Sequence, residues 1–162
     1  MQPESQTASG ARIGHVHLKV ADLARSVAFY EAALGLEVQQ YFGTEAAFLS
    51  FDGYHHHLGL NTWHSAHGPR PAPDATGLYH TAFLFPDRAA LARAVRRALD
   101  AGVRLEGAAD HGVSEAIYFS DPDGNGIEIY CDRAPQDWPR DSTGQLAMGN
   151  ARLDIAALLA LV

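Results

Sequence analysis

HVHLKVADLARSVAFYEAALGLEV (residues 15–38) and HTAFLFPDRAALARAVRRALDAGV (residues 80–103) are the two stretches that decide the fold. Each begins with a histidine, runs through an alternating segment and reaches an aspartate seven residues on, Asp22 in one and Asp87 in the other. In the first, Ile13, His15, His17 and Lys19 point one way and Val16, Leu18 and Val20 the other, the period of a strand over residues 12–20. Asp22 then caps a helix in which Leu23, Val27, Tyr30 and Leu34 recur at helical spacing, and Gly35 stops it. In the second, residues 78–85 form the strand, Asp87 caps the helix RAALARAVRRALDA, and Gly102 ends it.

The segments after the two helices match as well. Leu36–Tyr41, Ala46–Phe51 and Tyr54–Trp63 read as strands in the first half, with Asp52-Gly53 as a turn. Val103–Leu105, Glu115–Ser120 and Gly126–Cys131 are their counterparts, with Asp123-Gly124 as the second turn. The chain is therefore a duplicated β-α-β-β-β unit, an α+β fold. Neither half is long enough to bury both sides of its own sheet, so the two are expected to pair into one curved mixed sheet enclosing a cleft. The expected domain spans residues 11–132, as modules 11–66 and 76–132 joined by the Pro-rich connector 64–76. A tail, 133–162, ends in an apolar stretch, Leu153–Val162, that suits a short helix packed on the domain or on a partner.

Composition narrows the function. At 162 residues with 47% apolar content the chain holds a sizeable core, and 19% charged residues is too few for a disordered chain. A net charge of −7 without a Lys/Arg stripe argues against nucleic acid. The single cysteine, Cys131, excludes an intrachain disulfide and fits a reducing compartment. No apolar run approaches a membrane span, and the polar start MQPESQTASG reads as a loose arm over residues 1 to about 10, without a signal-peptide core. A cytoplasmic protein is expected. The nine histidines are the one compositional oddity.

His15 and His80 hold equivalent places in the two repeats, so they are expected to face each other across the cleft. Glu128 lies four residues after Gly124 on the last strand of the second repeat. Two imidazoles and a carboxylate on one face of a metal leave positions open, which suits non-haem Fe(II) in oxygen chemistry. By position after the turn, the counterpart of Glu128 is His57, four residues after Gly53. A lone strand histidine is more often structural than a ligand, and His17 is read as a pocket or packing residue. Asp121 and Asp123 read as turn formers and Tyr54 as packing. Connector His64 and His67 are read as surface residues. Phe48, Leu60, Trp63 and the tail around Met148 are candidate lining.

The segments HVHLKVADLARSVAFYEAALGLEV, YHTAFLFPD and YFSDPDGNGIEIY together resemble the vicinal oxygen chelate superfamily, whose members pair β-α-β-β-β units around a divalent metal. The resemblance covers residues 12 to 132 and implies the fold and a metal, but not one reaction, since the superfamily includes glyoxalases, epimerases, resistance proteins and extradiol dioxygenases. A finer signature is similar to that of the single-domain type I extradiol (catechol 2,3-) dioxygenases: His111, Ile117-Tyr118, Asp121-Pro122, Gly124 and Glu128. Ala109 departs from it, standing where Gly, Asn, Thr or a β-branched residue is usual. The resemblance implies His15, His80 and Glu128 as metal ligands, with Fe(II) the expected ion and Mn(II), Ni(II) or Zn(II) as alternatives. It implies Tyr118 and His111 as hydrogen-bonding groups. The segment His56-His57-Leu58-Gly59-Leu60 matches the family's acid–base strand and gives that role to His56. His57 is the rival by the internal repeat, and adjacent strand residues cannot both face the metal without a bulge.

The expected activity is therefore Fe(II)-dependent extradiol cleavage of a catechol-type diol with O2, in aromatic catabolism, and a homodimer is the expected state. A glyoxalase-type isomerase or lyase on the same scaffold is the alternative, wanting a second carboxylate that the first half lacks. A resistance-type module that binds a small molecule is the other, although such members lose the ligands kept here.

Overall fold

The computed structural model describes residues 10–162; the expected N-terminal arm lies, but for Gly10, outside the described residues. The first module runs β1 (Val16–Lys19), α1 (Leu23–Leu34), β2 (Glu37–Phe42), β3 (Ala46–Ser50) and β4 (Leu58–Asn61). The second runs β5 (Thr81–Phe85), α2 (Arg88–Asp100), β6 (Gly107–Asp110), β7 (Ser114–Ser120) and β8 (Gly126–Asp132). A short strand β9 (Ala151–Arg152) and a helix α3 (Ile155–Leu159) complete the chain. Both module helices start where their aspartates place them. Asp22 accepts the backbone N–H of Arg25 and Asp87 that of Ala90, each satisfying one orphan donor of a first turn.

The α+β class and the duplication stand as the sequence predicts. By hydrogen bonding the strands form two mixed sheets rather than one, ordered β1-β4-β3-β2 and β5-β8-β7-β6-β9. Both share one connectivity: the first strand is parallel to the last, and the rest are antiparallel. Leu18, Leu49, Leu58, Leu60, Ile117, Phe119, Ile127 and Ile129 bury one face of the sheets with Val27, Leu34, Leu91 and Val95 of the helices in a common core. The opposite face carries the intervening residues: His17, Phe48 and Gly59 in one module, Ala82, Tyr118 and Glu128 in the other.

Three local expectations are corrected. The strand expected at Val103–Leu105 lies instead at Gly107–Asp110, where the sequence GAAD has no β-branched or aromatic residue to announce it. The strand expected over Tyr54–Trp63 is confined to Leu58–Asn61, so His55, His56 and His57 lie in the irregular segment that precedes it. Leu60 is fully buried in the core and lines no cleft. The terminal helix packs on its own domain, one of its two expected places, through Leu158 at 0% exposure, while Leu161 and Val162 beyond it stay exposed.

Asp121 and Asp123 are more than turn formers. Asp121 accepts from Tyr30 Oη (3.1 Å), from the side chain and backbone of Asn125, and from the backbone of Asp123. Asp123 binds Arg25, Ser26 Oγ and the backbone N–H of Ala21. These carboxylates of the second module's turn thus fasten the start of α1 in the first. Burial, followed by the Asp121 charge, pushes the Tyr30 hydroxyl far above the usual tyrosine value, so it serves as a neutral donor.

Candidate metal centre

His15 and His80 each sit one residue before the first strand of their module, as the duplication requires. Both line a cavity of about 850 Å³ together with Ile13, Phe51, Ala82 and Tyr130. Beside His80, side chains of the second module form a connected chain. His80 Nε2 lies 2.8 Å from Glu128 Oε2. Tyr118 Oη donates to Glu128 Oε1 at 3.2 Å, and His111 Nε2 lies 2.7 Å from the same hydroxyl. Register explains part of this convergence: Tyr118 is the cross-strand partner of Glu128, and Ala82, small, is its partner on the other side. Burial first, then the Glu128 carboxylate, pushes the Tyr118 hydroxyl up to about 12, so it remains a neutral donor through the physiological range.

Gly126 permits the approach of His80 to Glu128. A Cβ there would collide with the Tyr79 carbonyl oxygen and meet His80 Cβ at 3.1 Å. No side chain fits without moving the segment that carries His80.

The first module departs from the second at the place that matters. Strand register pairs His17 with Gly59 and Ala82 with Glu128, so the structural counterpart of Glu128 is Gly59, not His57. The turn before β4 is longer than its counterpart, so counting from the turn glycine misplaces the match. Bulk is exchanged across the pair: the His17 ring covers Gly59, where a Cβ would meet it at 2.8 Å. Phe48 and the half-exposed Trp63 flank that ring at 5.9 and 5.5 Å between centroids. Burial, with His15 nearby, lowers the His17 pKa and keeps the ring neutral. Gly59→Ala is therefore expected to cost about 1–3 kcal/mol by overpacking, and His17→Ala in the same chain to recover most of that loss in a thermal melt.

The histidine run divides its tasks. His56 rests against His15, with ring centroids 4.3 Å apart, and against Phe48 at 5.0 Å; its Nδ1 lies 2.8 Å from His55 Nδ1. Desolvation, then the neighbouring His15, lowers the His56 pKa, favouring the neutral ring. His57 lines the cavity, but it stacks on Tyr54 and turns Nδ1 to the Phe51 N–H at 3.5 Å. Because these residues precede the strand, strand alternation does not govern which of them faces the cavity.

The donor set fits a metal in kind. His80 Nε2 and Glu128 Oε2 stand at about the 3 Å separation of two neighbouring donors on one first-row ion with bonds near 2.1 Å. Among the described residues no three His, Cys, Asp or Glu side chains are gathered to hold a metal. The pair is assembled, and His15 stands in the same cavity against His56. Sequence reasoning did not find the His17–Gly59 pairing or the contact of His111 with the tail, where Nδ1 lies 2.9 Å from the Gly149 carbonyl oxygen.

The chain is 42% identical over 147 residues to a Catechol-2,3-dioxygenase of Bacillus subtilis (strain 168), covering 91% of this chain and 50% of that protein. It is 32% identical over 132 residues to Biphenyl-2,3-diol 1,2-dioxygenase 3 of Rhodococcus globerulus, covering 82% of this chain and 68% of the relative. The chain thus spans about half the length of the Bacillus relative. A solved glyoxalase/dioxygenase from Nostoc punctiforme superposes with a TM-score of 0.62 at 26% identity, covering 79% of this chain and 95% of that one. Residues 12–129 match the model of the Glyoxalase/Bleomycin resistance protein/Dioxygenase superfamily, and the chain belongs to that family.

Proposed function

We propose that the protein is an Fe(II)-dependent extradiol dioxygenase that opens the ring of a catechol-type diol with O2. The observation that carries this reading is the connected set His80–Glu128–Tyr118–His111, reached from the cavity through His80, in a chain similar to two ring-diol dioxygenases. His80 and Glu128 would hold the metal, with His15 of the same cavity as the third ligand. When bound, Fe(II) supplies Lewis-acid polarisation of two vicinal oxygens, an open position for O2 and one-electron chemistry.

The chain's own residues supply the rest. His56, held neutral by burial, takes the proton of a diol hydroxyl and later returns one to the departing oxygen. Tyr118 offers a neutral hydroxyl to the oxygen atoms gathered at Glu128, and His111 holds that hydroxyl in place. Phe48, Trp63 and His17 give an aromatic wall against which a planar ring packs. A glyoxalase-type isomerisation would want a carboxylate from each module, and the counterpart of Glu128 is Gly59.

The test is steady-state turnover of substituted catechols by Fe(II)-loaded protein, with metal content measured in the same samples. Tyr118→Phe removes only a hydroxyl and is expected to lower kcat by about 10–100-fold at unchanged iron content. An unchanged kcat would remove Tyr118 from the reaction, and no turnover of any catechol by fully loaded protein would remove the activity.

A further inference from the structure

The family match ends at residue 129, yet the chain beyond it returns to the site. Trp138 Nε1 donates to the Arg133 carbonyl at 2.9 Å, and the Pro139 ring fills the space over Gly112, where a Cβ would meet it at 2.8 Å. A tight hairpin comes next: Asp141 Oδ1 accepts from the backbone N–H groups of Thr143 and Gln145, and Ala147 N–H donates back to the Pro139 carbonyl at 2.9 Å. The chain then pairs with β6, Ala151 opposite Asp110 and Arg152 opposite Ala109, and ends in α3, anchored by Leu158 in the core. Between hairpin and strand lies Gly149, which meets His111 twice. Its N–H donates to the His111 carbonyl, and its carbonyl oxygen receives His111 Nδ1, both at 2.9 Å.

We propose that residues 139–152 form a strap whose Gly149 carbonyl is a positioning element, fixing the tautomer and orientation of His111 toward Tyr118. A carbonyl oxygen only accepts, so the Nδ1 atom of His111 must carry a proton. In the neutral ring Nε2 is then bare and faces the Tyr118 hydroxyl at 2.7 Å as an acceptor. The hydroxyl has a single proton, shared unequally between Nε2 at 2.7 Å and Glu128 Oε1 at 3.2 Å, so ring orientation decides how far that proton is drawn from Glu128. The Nδ1–H form is the minor neutral tautomer of imidazole side chains in water, and the strap makes it the resident one. The remaining His111 backbone group is also held, its N–H donating to the Ser114 carbonyl at 2.9 Å. Turning the ring would break its contact with the strap at Gly149. A backbone carbonyl that sets a histidine's tautomer is a recurrent way to tune a site from outside its ligand set. The catalytic value of this arrangement rests on the function proposed above; the tautomer itself does not.

The test reads the ring in the metal-free, full-length chain by long-range ¹H–¹⁵N correlation, with His111→Gln to assign the signals. Wild type is expected to show Nδ1 protonated and Nε2 unprotonated. Gly149→Ala keeps both backbone groups and meets no atom within 4 Å, so its spectrum should be unchanged. Gly149→Pro loses the N–H to His111 and is expected to convert the single form into a mixture of tautomers. A wild-type ring protonated at Nε2 overturns the proposal whatever the variants do. So does a folded Gly149→Pro chain that retains only the Nδ1–H form. Absent catechol turnover with the Nδ1–H form intact would remove the function and leave the strap standing.

Discussion

Glu128→Ala is expected to abolish both metal retention and turnover. The carboxylate places one oxygen 2.8 Å from His80 Nε2 and the other 3.2 Å from Tyr118 Oη, so it joins a candidate metal ligand to a hydrogen-bonding group. Losing it withdraws several kcal/mol of transition-state stabilisation, about a thousandfold or more in rate. The fold should survive: the neighbouring core residues Ile127 and Ile129 point to the opposite face and keep their burial. The checks are bound iron after dialysis, turnover of catechol, and a thermal melt. Full iron content with turnover within about tenfold of wild type would remove Glu128 from the ligand set.

The largest effect on stability is expected at Asp121→Ala, outside the candidate ligand set. Asp121 is 3% exposed and accepts from the fully buried Tyr30 hydroxyl and from two backbone N–H groups. Removing it strands those donors without water. Each unsatisfied buried group costs about 1–3 kcal/mol, so a loss of roughly 3 kcal/mol is a conservative expectation. For a domain of this size that is a fall of about 10 °C in Tm. Asp121→Asn keeps one carbonyl oxygen and should lose distinctly less. A melt unchanged in Asp121→Ala would mean that the turn does not fasten α1 to the second module.

The duplication was legible because its signals are local. A histidine, an alternating strand and a capping aspartate lie within eight residues of one another in each half. The spacing of Tyr118 and Glu128 was legible for a related reason. They are cross-strand partners in one hairpin, so the tight turn at 121–125 fixes their separation along the chain. The parallel pairings behaved differently. β1 meets β4 only after a helix and two strands, so no local count reveals that His17 lies over Gly59, and the longer first-module turn moved the apparent counterpart of Glu128 to His57. The histidine run leads into an alternating apolar segment and reads as part of its strand. Its residues nevertheless stay outside the strand, with His56 packed on His15 and Phe48 and His57 on Tyr54. β6 was hidden by its small residues. The grip of Asp123 on Arg25 and of Gly149 on His111 joins segments far apart in sequence, and only the tertiary fold shows it.

Oxygen uptake tests the central claim most directly. Protein reconstituted anaerobically with Fe(II) is mixed with catechol in air-saturated buffer, and the absorbance of the ring-opened product is recorded in the same cuvette. Uptake of one O2 per catechol consumed, with a yellow product that disappears in His80→Ala and Glu128→Ala, is the expected result. Fully iron-loaded protein that consumes no oxygen with catechol or any substituted catechol would contradict the dioxygenase reading.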